Sequence, residues 1–247
     1  MPGFKDELTG ERVRGITELL KRVFWPTYRY RRATANVPRA PRDAAPTGGP
    51  RGKRAGCRRG SAVDREVCAC VNRGIAPTQP FAKKVLRALE VAGMHPVKAQ
   101  VHVADAAVGL GTGVDLVCSR GEGAARKLVI VELKVGWERE QTYDAADGKM
   151  RGCLADLPNS PRYQHMVQTV VTRALFSASH PECASPDACV ARVTSEGVHL
   201  HPVDAALYRR APAILASLGA ARMSVRRQKQ KLVGKRVPAK RSPKKGV

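Results

Sequence analysis

The chain has 247 residues, with 44 Lys/Arg against 21 Asp/Glu and a formal charge of +23. That length suits one domain with extensions and a sizeable core. No apolar run reaches the roughly 18–20 residues that span a bilayer, and the opening MPGFKDELTGERVRG lacks the apolar stretch of a secretory signal. These features weigh against a membrane protein and against a secreted disulfide scaffold, and so strongly basic a chain is expected to meet a polyanion, most often nucleic acid.

The charge is unevenly placed. Residues 1–60 carry +10, residues 222–247 carry +11, and residues 61–221 carry only +2. Three segments are therefore expected: 1–59, a basic helix and linker; 60–221, a near-neutral globular domain; and 222–247, a disordered basic tail.

In chain order, Thr9 is a candidate N-cap for a helix over about 10–24, with Val13, Ile16, Leu20, Val23 and Phe24 on one face and Pro26 ending it. Residues 34–60 are rich in Pro, Gly and Arg and read as a flexible linker. Ser61 opens a helix over about 62–73, with Val63, Val67, Cys70 and Val71 inward. Another helix runs from Pro80 to about Ala92. The period then shortens: 96–104 alternates as a strand, 113–118 is a short apolar run holding one acid, and 127–135 (KLVIVELKV) is the clearest strand in the chain. Residues 136–159 are polar and loop-like. A helix follows over about 162–178, then a hairpin over 188–203, then a helix from Asp204 to about Leu218. Strands grouped around one long helix imply an α/β fold, a mixed central sheet flanked by helices.

The informative residues are Gly113-Val114-Asp115 and Val131-Glu132-Leu133-Lys134, on successive strands. Glu132 and Lys134 are two apart and share a face. Three ionisable groups within two apolar strands are costly unless they share a partner. A divalent cation is one such partner, because Mg²⁺ takes oxygen ligands from one or two carboxylates plus substrate phosphate. Asp115, Glu132 and the Leu133 carbonyl are candidate metal ligands. Lys134 is the candidate for orienting water and balancing charge on the transition state. The competing reading places Glu132 and Lys134 on a solvated sheet face, with Asp115 merely ending a strand.

This pattern, VD…ELK, resembles the PD-(D/E)xK nuclease superfamily, with Val114 in the place of the proline. Two further stretches resemble its RecB-type and lambda-exonuclease-like branch. Gln168 matches the Gln of a Gln-x-x-x-Tyr helix, with Thr172 where Tyr is usual, and Gln164 lies one turn earlier. Gly60-x-x-x-Asp64 matches a Gly-x-x-x-His helix, with Asp for His. The resemblance covers about residues 59–203. It implies a restriction-endonuclease-like αβββαβ core and a hydrolase that cuts DNA phosphodiester bonds with Mg²⁺ or Mn²⁺, with RNA as the other candidate substrate. It assigns catalysis to Asp115, Glu132, Lys134 and Gln168, and metal binding to Asp115, Glu132, Leu133 and Asp64. Glu66 competes with Asp64, since residues two apart on a helix face different ways. Relatives serve recombination, repair or viral genome processing.

The seven cysteines form no paired CxxC pattern and read as reduced thiols in an intracellular setting. His180, Cys183 and Cys189, with Cys57, are a minor candidate metal set. His199 and His201 alternate on one strand and are expected to pack or hydrogen-bond. The tail's basic clusters at 226–231, 235–236 and 240–245 resemble nuclear-localisation signals and SPKK-type DNA-binding tails, and are expected to give affinity without sequence choice. Two other functions fit the same chain: a catalytically inactive nuclease-like DNA-binding module, and a basic DNA-packaging protein. No membrane partner is expected, and the sequence names no protein partner.

Overall fold

The computed structural model describes residues 4–5, 12–13, 16–26, 50–105, 108–183 and 185–234. Thr9, residues 34–49 and the tail from 235 onward lie outside them, as does the side chain of Cys57. Phe4–Lys5 and Arg12–Val13 form a short antiparallel pair. Seven helices and five longer strands follow among the described residues. They are α1 (Ile16–Val23), α2 (Pro50–Arg73), α3 (Pro80–Val91), β1 (Met94–Asp105), β2 (Leu110–Arg120), β3 (Lys127–Val135), α4 (Glu140–Asp144), α5 (Pro161–Ser179), β4 (Asp187–Val193), β5 (Val198–Pro202), α6 (Ala205–Tyr208) and α7 (Ala211–Gly234).

The sheet has strand order β1-β2-β3-β4-β5. Neighbours are antiparallel except β3 and β4, which run parallel because α5 crosses over between them. Helices cover both faces. On one face α5 lays Val167, Val170, Val171 and Leu175 over Val103, Val114, Val117 and Ile130, backed by Ile16, Leu20 and Phe24 of the N-terminal helical segment and by Ile214 and Leu218 of α7. On the other, Val63 and Val67 of α2 and Ala82, Val85 and Leu89 of α3 cover Leu116, Cys118, Val129, Val131, Ala191 and Val193. Each fully buried Val or Leu contributes about 1.5–3 kcal/mol. The expected α/β class, with a mixed sheet between helices, is the observed one.

Two helices exceed their expected bounds. α2 begins at Pro50 rather than near Ser61, and α7 runs on to Gly234 rather than ending near Leu218. The added turns of α2 are rich in Arg and those of α7 in Arg, Lys, Ala and Gln, residues that favour helix even where they read as linker or tail. The segment after β3 is also not wholly irregular, since α4 forms within it. α5 starts where Ser160 accepts a hydrogen bond from the Tyr163 N–H and Pro161 occupies the first turn. Asp204 caps α6 through the Ala206 N–H at 2.7 Å, and the helix expected from there breaks at 209–210 before α7.

One irregularity shapes the centre of the sheet. Pairing of β1 with β2 runs Ala99↔Leu116 and then Val101↔Val114, and omits Gln100 and Asp115. Gln100 has φ +54°. Ala99 and Leu116 belong to the core under α2 and α3, whereas Val101, Val103 and Val114 pack on the α5 side. Residues two apart in a regular strand share a face. Both strands therefore exchange faces at Gln100 and Asp115, and the left-handed backbone of Gln100 is the local cause. Left-handed geometry costs a residue with a Cβ about 1–2 kcal/mol.

Candidate functional site

β2 and β3 pair from Arg120↔Lys127 to Leu116↔Val131, and the ladder stops there. The next positions are Asp115 and Glu132, where the strands separate. The Leu133 N–H, released from the ladder, donates to Asp115 Oδ2 at 2.8 Å. A side-chain carboxylate thus replaces a strand partner, which anchors Asp115 at the opening and satisfies a backbone donor that burial would otherwise leave unpaired.

Glu132 is buried, at 3% exposure, so the solvated-face reading of β3 does not hold. Its Oε1 accepts from Lys134 Nζ and from Gln168 Nε2, each at 2.5 Å. Lys134 shares its face of β3, and Gln168 reaches down from α5. Asp64 comes from α2 on the opposite layer. Its Oδ1 accepts from Gln100 Nε2 at 2.7 Å, and the same nitrogen lies 3.4 Å from Asp115 Oδ1. One amide donor therefore stands between two carboxylates. Four elements, α2, β2, β3 and α5, bring their polar side chains to the point where the sheet opens, and β1 adds Gln100.

The charges are mutually coupled. Burial, with the nearby Glu132 charge second, holds the Asp115 carboxyl well above the usual carboxylate range. Burial also raises Asp64, against the lowering effect of the Gln100 amide, and Glu132 pushes it the same way. Burial pulls the Lys134 ammonium down, but the charges of Glu132 and Asp115 outweigh it and the net direction is up. Asp64, Asp115, Glu132 and Lys134 form one electrostatic unit with more acid than base.

Among the described residues, no three acidic, histidine or cysteine side chains converge closely enough to enclose a metal ion. The acids are instead bonded to neighbouring donors. The amide of Gln100 sits between Asp64 and Asp115, and Glu132 is drawn onto Lys134 and Gln168. Ammonium and amide donors occupy these carboxylate oxygens.

Of the two competing acids on α2, Asp64 lies at the sheet opening and Glu66 faces α3. Glu66 Oε1 accepts from the Thr78 N–H and Oγ1 and from the Gln79 N–H, so it ties α2 to the start of α3. Gln164 donates to Asn159 Oδ1 at 2.9 Å and is not at the site. Thr172 is fully buried and its hydroxyl has no partner among the described residues. The minor candidate set does not assemble: His180 bonds its own helix at Phe176 O, Cys183 packs on the α5 side, and Cys189 lies in the core on the other face. His201 does pack, its ring 5.3 Å from that of Tyr143.

Sequence reasoning missed Gln100, which in an alternating strand looks like an ordinary outward residue. It also missed a group beside the site. Arg192 is 1% exposed and donates through Nη1 to the Trp137 carbonyl at 2.6 Å, while Nη2 contacts Glu140. Its guanidinium lies 5.1 Å from the Tyr143 ring, against which Trp137 and His165 pack in turn, and burial holds His165 well below its usual pKa. A buried Arg in an apolar strand such as ACVARVT was the available signal.

No protein-family model matches the chain, and a search of curated proteins finds no significant relative. Among the described residues, no helix is long and apolar enough to cross a membrane.

Proposed function

We propose that this chain is a divalent-metal-dependent nuclease that hydrolyses DNA phosphodiester bonds, built on a PD-(D/E)xK-like core. The observation that carries the reading is the coupled group at the β2–β3 opening: Asp64, Asp115, Glu132 and Lys134, with Gln168 bound to Glu132. An excess of buried carboxylate over base is the electrostatic deficit that Mg²⁺ or Mn²⁺ relieves, and the donors are hard oxygens suited to those ions. Asp64, Asp115, Glu132 and the Leu133 carbonyl would hold the ion, once Gln100 releases the two aspartates. When bound, the cation supplies Lewis-acid polarisation of the phosphate and lowers the pKa of water.

The chain's own residues account for the rest. Gln168 fixes the Glu132 carboxylate by donating to Oε1. Lys134, released from Glu132, donates to the attacking water or to a non-bridging phosphate oxygen as negative charge grows there. The cationic flanks hold the polyanion without choosing sequence. The basic tail also suits a nuclear location, and recombination, repair or viral genome processing are the settings this activity would serve.

A second reading is favoured by one observation. Gln100 bridges Asp64 and Asp115 directly, as it would in an inactive DNA-binding module whose acids are satisfied internally. Incubation of the full chain with plasmid and single-stranded DNA in Mg²⁺ or Mn²⁺ separates the two. Cutting that Asp115→Ala and Lys134→Ala abolish, with DNA binding retained, supports the enzyme. Tight binding with no cutting in either metal supports the silent module.

A further inference from the structure

We propose that Trp137 is a stacking platform for one unpaired nucleobase beside the reacting phosphate; this rests on the nuclease reading and narrows its substrate to nucleic acid with an unpaired nucleotide. Aromatic residues make up only 4% of this chain, and two are Trp. Trp25 is 8% exposed within the core of the α1 side. Trp137 differs in place, exposure and backbone. It follows β3, three residues past Lys134, and it is only half-buried.

The backbone there is held in an unusual form. Gly136 has φ +120° and Trp137 φ +53°. A bulky side chain rarely adopts the second value, and it persists only where surroundings enforce it. The enforcement is visible. The Gly136 N–H donates to the Val193 carbonyl at 3.0 Å. Arg192, almost fully buried, spends one guanidinium nitrogen on the Trp137 carbonyl and another on Glu140. Filling a core with an indole requires none of this. The arrangement holds a partly buried indole in a fixed position.

That position adjoins the site. The indole lies 4.6 Å from the His165 ring at 77° and 6.2 Å from the Tyr143 ring at 61°. Both contacts are edge-on, and among the described residues no ring stacks parallel on it. Its N–H has no hydrogen-bond partner among them either. His165 lies one helical turn before Gln168 on α5, and the Lys134 charge acts on it. The ring therefore neighbours the Glu132–Lys134–Gln168 group. A base stacks on an aromatic ring regardless of its identity, which suits a site that reads no sequence. Bases inside an intact duplex already stack on their neighbours, so the occupant is a single-stranded, frayed or flap nucleotide.

The test is tryptophan fluorescence of the full chain in EDTA, titrated with a short oligothymidylate or an abasic strand of equal phosphate number. Subtracting the Trp137→Phe signal isolates Trp137 and leaves Trp25 untouched. The expected result is quenching by oligothymidylate and none by the abasic strand. Trp137→Ala is expected to bind oligothymidylate about ten-fold more weakly, with Trp137→Phe retaining most of the affinity and the abasic strand binding both alike. Equal quenching by both strands, or no quenching, overturns the proposal; should the Ala variant fail to fold, the Phe difference signal still decides. Quenching by bases without cutting in any metal would sink the nuclease reading alone. Cutting in Mg²⁺ with an unmoved Trp137 signal would sink the platform alone.

Discussion

Replacing Gln168 by Leu isolates the interior of the site. Gln168 is 8% exposed and Glu132 3%, and the Gln168 amide and the Lys134 ammonium both donate to Glu132 Oε1 at 2.5 Å. Leu keeps the bulk and deletes one donor. A hydrogen bond to a charged group contributes about 1.5–3 kcal/mol. Lys134 remains, so the carboxylate is not left alone and a loss of about 2 kcal/mol is expected. In a chain of this size that lowers Tm by about 4–8 °C. Urea unfolding at pH 7 in EDTA reads it as a lower midpoint with an unchanged slope. The double variant with Lys134→Met should lose more than the two single losses together, by about 1 kcal/mol, because it strands a buried charge. A Gln168→Leu midpoint equal to the wild type, or a strictly additive double variant, would refute the account of Glu132 as a doubly held carboxylate.

Asp115→Asn keeps an acceptor for the Leu133 N–H but removes the charge. Because burial and Glu132 raise the folded-state pKa of Asp115, its charged form costs stability above that pKa, and the cost vanishes below the unfolded value near 3.8. The variant should therefore melt no lower than the wild type at pH 7 in EDTA, lose that advantage at pH 3.5, and cut nothing; a clear destabilisation at pH 7 would count against the assignment. His165 is buried in the neutral form, with its folded pKa depressed by burial. Its contribution is present above about pH 6.5 and lost as pH falls below it, at up to about 1.4 kcal/mol per pH unit. Comparing the wild type with His165→Gln between pH 7.5 and 5 should show a steeper loss in the wild type, and parallel curves would contradict this. Arg192→Met should lower stability by about 2–3 kcal/mol through the orphaned Trp137 carbonyl, which thermal melting would detect; an unchanged Tm would show that the guanidinium does not hold the loop.

What the sequence made legible was pattern. KLVIVELKV reads as a buried central strand, and the strand runs from Lys127 to Val135. Asp115, Glu132, Lys134 and Gln168, taken from three separate stretches, lie at one opening of the sheet. The less legible parts depend on tertiary context. Gln100 leaves no mark in sequence, since its importance comes from a face exchange and a positive φ that alternation does not predict. Arg192 stands out as a charge in an apolar strand, but its partners, the Trp137 carbonyl and Glu140, come from a distant stretch that the strand itself does not reveal. The added turns of α2 and α7 were hidden by composition, as charge and scattered glycine resemble linker while Arg, Ala and Lys favour helix.

Titration of the full chain with Mn²⁺, followed by loss of the free-ion electron paramagnetic resonance signal, interrogates the acidic cluster without relying on a substrate. One ion bound per chain, with binding abolished in Asp115→Asn and in Glu132→Gln but kept in Glu66→Gln, is the predicted result. Millimolar Mn²⁺ remaining entirely free in the presence of the wild-type chain would contradict it.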